Sequence, residues 1–400
     1  MKSKGIEEYR LINRRPALWA ALGTLAGVCL SMLLSHTAMG VAAAAFGLGF
    51  LLLRERADGF STAFFFMMLS LGSRFAFANI ELGFEDSAFM RFIAGLRFDI
   101  EDAVYELFGN DAGIVKGLLL GDRYDMTAEI YEIYVNNGVA HLFAVSGLHV
   151  TILSAVVLRI FRFVKRWLRY LLVAAFLLVY VCLTGLSPSA TRAAVMLLVV
   201  LLAKALEKRP DHLSAFCIAL TVVLLLFPSS ITRLSFLLSF GCIYGLLTFE
   251  PRLKSWLHLP DNKAFDLLVS GLAVNLAILP WCAYFFSGVS YTAVPITILI
   301  LPLSSILIVS SFVAVLLQFA LPWLAGVVAL IPKGMIVCIN FLLKTADIGL
   351  MPIKPPHLTA AALWFVGLFF LSPYYLPGRE RIPYEGIIIT ALSAALWVLL

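Results

Sequence analysis

Two histidines and a serine interrupt an apolar stretch at residues 139–158, and they are the side chains of this sequence best suited to chemistry. They are His141, Ser146 and His149. On one continuous helix, residues eight apart lie about 80° around the axis and residues three apart are neighbours, so all three side chains would share a broad face. Burying an imidazole or hydroxyl group in an apolar run costs free energy unless the group has a hydrogen-bond partner or faces water. The spacing therefore predicts a functional polar face on this helix.

Three interpretations of this face remain open. It is a water-facing channel lining, a Ser146–His149 nucleophile pair of an intramembrane serine hydrolase, or a pair of histidines satisfied by other helices. The nucleophile interpretation is the weakest, because an i, i+3 pair on one helix rarely aligns for proton transfer and no orienting acid is nearby. Gly147 allows close helix approach or a local break. Two histidines are too few for a metal site, so we expect no metal and no cofactor.

A second polar group stands at the predicted start of another apolar helix. Ser187 is a good N-cap and Pro188 suits the first helical position. Ser189, Thr191 and Arg192 fall in the first turn. A helix N-terminus presents free N–H groups and a positive dipole end, so with hydroxyls and a guanidinium it predicts a phosphate site. The alternative is a capped helix whose arginine extends to the outer headgroups.

Three further charged residues are candidates for a substrate pathway. Asp122 and Arg123 are adjacent, and as a functional pair Arg123 would contact phosphate while Asp122 holds it. As a solvated ion pair, the two residues would contribute little to the stability of the protein. Lys333 would lie deep in the membrane if its span is continuous, and with Arg192 it is a candidate lumen cation.

The composition predicts an all-α polytopic membrane protein. The chain is 62% hydrophobic and 14% charged, and its apolar runs of about 17–24 residues are long enough to cross a bilayer. They predict about 11–13 transmembrane helices. The expected spans are 16–34, 39–53, 59–78, 139–158, 168–186, 189–206, 213–227, 232–249, 266–286, 296–319, 323–343, 357–372 and 386–400. Prolines at 302, 322 and 332 are expected to break helices in the region 294–343 into halves or re-entrant turns.

These spans divide the chain into three parts. Residues 1–78 hold the N-terminal transmembrane helices, residues 79–138 form an extracytoplasmic helical segment between the third and fourth spans, and residues 139–400 form the membrane core. In the middle part we expect an amphipathic helix at 88–108 along the outer surface. A second helix ends at Gly121, and a third is capped by Thr127.

Lysine and arginine are distributed unevenly between the connections. Alternate connections at 184–190, 228–230 and 287–295 hold none, whereas twenty of the chain's thirty Lys and Arg residues lie at 1–15, 54–56, 159–169, 204–209, 252–263 and 379–381. Because cytoplasmic connections carry the excess of basic residues, the N-terminus is predicted to be cytoplasmic and residues 79–138 to be outside.

Two sequence blocks resemble a known family. The motif GDR at 121–123, followed by H-L-x-A-x-S-G-L-H at 141–149, is similar to the signature of the ComEC competence family, and LTGLSPSATRAAVM at 183–196 resembles its next motif. The resemblance implies a multi-pass channel in the bacterial inner (plasma) membrane for uptake of single-stranded DNA during natural transformation. A third block departs from the family, because Leu237 stands where a glutamine is expected.

The resemblance also implies partners. Full-length family members carry an OB-type domain and a metallo-β-lactamase-like domain, and we expect neither in this chain. The sequence contains no H-x-H pair and no G-x-x-x-x-G-K-[ST] motif. We therefore expect a separate DNA receptor, nuclease and cytoplasmic motor, with single-stranded DNA and the lipid bilayer as direct partners. The alternative in another class is an exporter or channel for another anionic polymer or a lipid-linked substrate.

Overall fold

The structure is a computed structural model in which parts of the chain are described. They are residues 16–33, 39, 42, 62–63, 65–71, 87–143, 145–257, 262–286, 288–372 and 384–399. The first predicted span is confirmed as a helix. The predicted span at 39–53 and most of the one at 59–78 lie outside the described residues.

Helices dominate the described chain. In order they are α1 (Pro16–Leu33), α2 (Ala88–Phe108), α3 (Ala112–Leu120), α4 (Ala128–Asn136), α5 (Gly147–Ile160), α6 (Arg166–Leu183), α7 (Pro188–Ala205), α8 (His212–Leu226), α9 (Leu234–Thr248), α10 (Glu250–Leu257), α11 (Lys263–Phe286), α12 (Ala293–Gln318), α13 (Pro322–Val328), α14 (Leu330–Thr345), α15 (Leu358–Leu371) and α16 (Tyr384–Leu399). Two short strands, β1 (Gly288–Ser290) and β2 (Leu350–Pro352), pair antiparallel.

The helical multi-pass membrane fold is confirmed. Within the described ranges, six helices are long and apolar enough to cross a membrane, or up to seven if the bent pair α9 and α10 counts as one span. The sequence predicted about 11–13 such helices, which is more than the described ranges contain. Part of the difference lies outside the described residues. The rest arises because several predicted spans form apolar helices that fall short of that length, among them α8, residues 359–371 and residues 384–398.

The prolines of the region 294–343 interrupt the helices less than predicted. Pro302 lies inside α12, which runs continuously for 26 residues. Pro322 occupies the start of α13, and α13 with α14 still forms one span-length unit, Pro322–Thr345. The predicted break at Pro302 is therefore wrong. A packed membrane helix tolerates an interior proline because neighbouring groups satisfy the backbone carbonyl that it frees.

The helices of the segment 79–138 are confirmed, but they do not form a separate layer. Gly121 ends α3 with φ 76°, and the Thr127 side chain accepts a hydrogen bond from the N–H of Ile130 at 3.4 Å. Every side chain of α3 is buried. Apolar residues of α2, α3 and α4 share one core with those of α5, α6, α7, α12 and α14. The segment thus packs directly on the helices that would line a pathway.

Candidate functional site

The helix predicted over 139–158 is broken just before its functional residues. Residues 140–143 form a 3₁₀ turn, and α5 begins only at Gly147, with Ser146 as its N-cap. The backbone N–H of Ser146 donates to Nδ1 of His149 at 2.9 Å. The imidazole here takes the place that Glu or Gln occupies in a capping box. The prediction that His141, Ser146 and His149 share one continuous helical face is therefore wrong.

This capping bond decides how His149 is protonated. Because Nδ1 accepts a hydrogen bond, the neutral ring carries its proton on Nε2. His149 is 0% exposed, and its Nε2 has no hydrogen-bond partner in the described part of the chain. A buried polar group without a partner costs about 1–3 kcal/mol. The Nε2–H group therefore marks a place where water or a polar ligand is needed.

The second imidazole lies close to the first. Nδ1 of His141 bonds the carbonyl oxygen of Gly138 at 3.2 Å, which gives this ring the opposite tautomer to that of His149. The two rings are near enough to interact electrostatically. Within the described residues, the hydroxyl of Ser146 bonds neither imidazole, and its contribution to His149 is made through the backbone. The geometry of a Ser–His nucleophile pair is thus not formed here.

The second predicted site begins as the sequence indicates. Oγ of Ser187 accepts from the N–H of Ala190 at 3.4 Å, and Pro188 follows the cap at the first helical position. Ser189 and Thr191, in the first turn of α7, are buried. Arg192 is only 4% exposed. Because its side chain points into the protein, the alternative of an arginine that extends to the headgroups is wrong.

Neighbouring helices hold the Arg192 guanidinium in place. Nε donates to Oγ of Ser239 at 2.9 Å, and Cζ lies 5.7 Å from the centre of the Phe240 ring. Nη1 contacts the sulfur of Met196 at 3.6 Å. Nη2 lies 3.0 Å from the point that a Cβ atom on Gly147 would occupy. Among the described residues no carboxylate pairs with this guanidinium.

Arg192 lies where the N-terminal ends of three helices meet. Successive hairpins place the starts of α5, α7 and α9 at the same end of the bundle. Gly147 is the first residue of α5, and Ser239 lies in the second turn of α9, so both contacts of Arg192 are near those starts. Helix N-termini attract negative charge. The junction therefore combines a buried cation with the positive N-terminal end of α5, whose first residue Arg192 contacts, and it suits an anion.

The imidazoles and the guanidinium belong to different sides of α5. Gly147 faces Arg192, and His149 is two residues further on, about 200° around the helix. His149 accordingly interacts with His141. The predicted single polar lining is therefore two adjacent patches, one centred on Arg192 and one on the histidine pair.

The GDR motif is part of a charge network that the sequence did not indicate. Oδ2 of Asp122 lies 3.3 Å from Nη2 of Arg97 and 3.7 Å from Nζ of Lys116. Nη1 of Arg97 also donates to the carbonyl of Leu183, the last residue of α6, at 3.3 Å. Arg123 is exposed and donates to the hydroxyl of Tyr131 at 2.9 Å. The predicted pairing of Asp122 with Arg123 is therefore wrong, because Asp122 binds cations of α2 and α3.

Lys116 is the centre of this network. Its side chain is buried on α3, it contacts Asp125, and its Nζ lies 3.6 Å from Glu101. Desolvation opposes its charge, but the hydrogen bond to Asp125 and the nearby carboxylates raise the pKa of Lys116 to about 12. Hydrogen bonds from Lys116 and Tyr105 lower the pKa of Asp125. The network holds the loop after α3 in place.

Lys333 is not part of either patch. Its side chain is half-buried on α14, and its charge interacts with Asp111 of the turn between α2 and α3. The prediction that Lys333 joins Arg192 as a lumen cation finds no support in this placement. The acidic neighbour Asp111, more than two hundred residues away in the sequence, accounts for a lysine at this position.

The sequence did not point to Ser239 or to Lys116 as parts of the site. Ser239 bonds an arginine 47 residues away, and no local pattern announces such a contact. Lys116 had a usable signal, since it is the single charge within the apolar helix α3. A lysine in such a run needs partners, and a search for acidic residues nearby would have found Asp122 and Asp125.

The sequence was compared with known proteins. A family model described as Competence protein matches residues 118–376. ComE operon protein 3 of Bacillus subtilis is 32% identical over 216 residues, which are 53% of this chain and 27% of that protein. Recombination protein 2 of Haemophilus influenzae is 25% identical over 214 residues, 49% of this chain and 27% of that protein. The matches thus span about a quarter of these relatives' length. No solved structure matches.

Proposed function

Since the family model covers more than half of its residues, this chain belongs to the Competence protein family, and from that premise we propose that it is a transmembrane channel for single-stranded DNA. In this proposal the strand passes into the cytoplasm during natural transformation. The protein lies in the bacterial cell membrane with its N-terminus in the cytoplasm. A separate DNA receptor, nuclease and cytoplasmic motor act with it.

One observation carries the proposal, namely the buried Arg192 at the junction of α5, α7 and α9. A phosphodiester cannot cross hydrocarbon without compensation for the water that it loses. A guanidinium offers planar, charge-assisted hydrogen bonds to phosphate oxygens. Nη2 of Arg192 makes no hydrogen bond within the described residues, since Nε and Nη1 make those that the structure contains. This group is free to bind a phosphate oxygen.

In this proposal the described arrangement is the closed channel. His149 and Arg192 are both buried, so passage of a strand requires the N-terminal ends of α5 and α7 to separate. Gly147 lets the two helices pack closely in this closed state, because a Cβ atom at that position would lie 3.0 Å from Nη2 of Arg192. Separation would expose the guanidinium and the Nε2–H group of His149 to the pathway.

Salt-dependent binding of a labelled oligonucleotide tests the proposal. We expect the purified protein in lipid nanodiscs to bind a fluorescent single strand with an affinity that falls steeply as salt rises, since phosphate contacts release counterions. The matched control ligand is a peptide nucleic acid of the same sequence, whose backbone is uncharged. Salt-independent binding, or equal binding of the uncharged strand, would contradict the proposal. Stronger binding of polyphosphate would favour a channel for another anionic polymer.

Replacement of Ser146 tests the hydrolase alternative. We expect Ser146→Asn to leave DNA passage within about twofold of the wild type, because asparagine preserves the N-cap and the serine hydroxyl bonds neither imidazole. Passage is measured as transformation frequency at equal protein level. His149→Leu is the comparison, since it removes both the capping acceptor and the buried Nε2–H group. Complete loss of passage in Ser146→Asn would favour a nucleophilic serine instead.

A further inference from the structure

A strongly basic surface lies at the opposite end of α5, α6 and α7 from Arg192. Two connections form it, residues 159–170 and residues 204–211. We call it the basic end. Its cations are Arg159, Arg162, Lys165, Arg166, Arg169, Lys204, Lys208 and Arg209, whereas its acidic residues are Glu207 and Asp211.

The two connections form one continuous surface. Nη2 of Arg166 lies 2.7 Å from Oε1 of Glu207, which joins the start of α6 to the end of α7. Asp211 accepts a hydrogen bond from Ser214. Apart from Arg166, the cations of the basic end form no ion pair within 4 Å with the acidic residues that the structure describes. Such a surplus of positive charge attracts anionic partners.

Arg169 indicates where a single anion would bind. Its Nε is buried and has no hydrogen-bond partner in the described chain. Its guanidinium lies 5.8 Å from the centre of the Tyr170 ring. A buried guanidinium N–H needs an acceptor, and a phosphate oxygen is the acceptor that arginine binds best.

Aromatic side chains place this surface at the membrane interface. Phe163 is 84% exposed and Trp167 is 65% exposed. Trp167 is the second residue of α6, a helix long and apolar enough to span the membrane. Exposed aromatic rings at the ends of spans lie at the level of the lipid headgroups. Clusters of four to eight basic residues next to a span bind anionic lipids.

We infer that the basic end is a binding site for an anionic phospholipid, whose headgroup phosphate accepts hydrogen bonds from the half-buried guanidinium of Arg169. Lys165 and Lys208, one from each connection, add positive charge to this surface. The bound lipid would hold the ends of α6 and α7 together, in addition to the Arg166–Glu207 ion pair. This site is separate from the Arg192 junction and does not depend on passage of DNA.

Thermal unfolding of the purified protein with added lipid tests this inference. We expect phosphatidylglycerol to raise the unfolding temperature of the wild type by roughly 3 °C over phosphatidylcholine, because a ligand of the folded state stabilises it. The triple variant Lys165→Gln, Arg169→Gln, Lys208→Gln should lose this difference. The matched control, Arg91→Gln, Arg233→Gln, Lys344→Gln, removes three cations from other surfaces and should keep it. Arg169→Lys alone, which retains the charge without the guanidinium, should lose most of it.

Three results would overturn the inference. The first is an equal shift in the triple variant and the wild type. The second is a shift of the same size with inorganic phosphate or glycerol phosphate, which would identify a site for free phosphate. The third is a labelled single-stranded oligonucleotide that binds the wild type but not the triple variant, in lipid without anionic headgroups. That outcome would assign the surface to nucleic acid.

Discussion

Replacing Arg192 with leucine is expected to make the protein more stable and to abolish DNA passage. The guanidinium is buried and has no carboxylate partner in the described part of the chain. Apolar replacement of buried ionic groups often stabilises a protein by about 1–4 kcal/mol. Under the proposed role of Arg192 in binding phosphate, its loss should reduce passage by roughly 100-fold or more. The unfolding temperature and the transformation frequency of the same variant measure the two effects.

Opposite changes in stability and function separate a binding role from a structural one. Ser239 loses its arginine partner in this variant, but a helical serine can bond the carbonyl one turn earlier, so this loss should cost little. Arg192→Lys is the matched control, because it keeps the charge and should retain part of the activity. A leucine variant that is strongly destabilised, or one that still takes up DNA at the wild-type level, contradicts the role of Arg192 in the pathway.

Replacing Lys116 with methionine is expected to produce the largest loss of stability. The change leaves Glu101, Asp122 and Asp125 near one another without the lysine that lies within 4 Å of each. Removal of one partner from a buried charge network costs roughly 3 kcal/mol, at the low end of the usual range because these carboxylates are partly exposed. Chemical or thermal unfolding of the purified variant measures it.

The dependence of stability on pH identifies the cause of this loss. In the wild type the pKa of Asp125 is lowered from 3.8, so its contribution is present above pH 3.8 and is lost as the pH falls through the lower folded-state value. The pKa of Lys116 is raised from 10.5 to about 12, so its contribution is complete below pH 10.5 and is lost as the pH rises towards 12. The wild type is therefore expected to weaken at both extremes.

The methionine variant should respond to acid in the opposite direction. Without the lysine, Asp125 has lost its cation, whereas Glu101 and Asp122 keep Arg97 at 2.8 and 3.3 Å. Protonation of Asp125 relieves its repulsion with those carboxylates, so mild acidification should stabilise the variant. Lys344→Met, at an exposed position of α14, is the control and should behave as the wild type does. If Lys116→Met unfolds at the wild-type temperature and shows no stabilisation in acid, the network does not hold the loop after α3.

Local features of the fold were predictable because their causes are local. Ser187 with Pro188, Thr127, and Gly121 after α3 all mark helix ends where the sequence indicates them. Each depends on a side chain that satisfies nearby backbone groups, or on a glycine that tolerates a positive φ. The amphipathic helix at 88–108 was predictable for a similar reason, since periodicity within one segment determines it.

The sequence identified residues of the candidate site but not their arrangement. His149 and Arg192 were identified from residue type, because polar or charged side chains in apolar runs are functional candidates. Gly147 was identified because glycine permits close helix approach or a local break. Their grouping was wrong, since a continuous helix was assumed across residues 139–158. The bond from the Ser146 N–H to His149 ends that continuity. Helix propensities do not predict that a histidine side chain will accept the capping hydrogen bond.

The sequence by itself determined that this chain crosses a membrane several times, where many of its helices begin and end, and which family it belongs to. These properties depend on hydrophobicity, on caps and on short motifs, all of which act within a few residues. Only the tertiary structure decided that Arg192 meets Gly147 and Ser239, that Lys116 gathers three carboxylates, and that the histidines face away from the guanidinium. These contacts join residues far apart in the chain, and the packing of whole helices selects them.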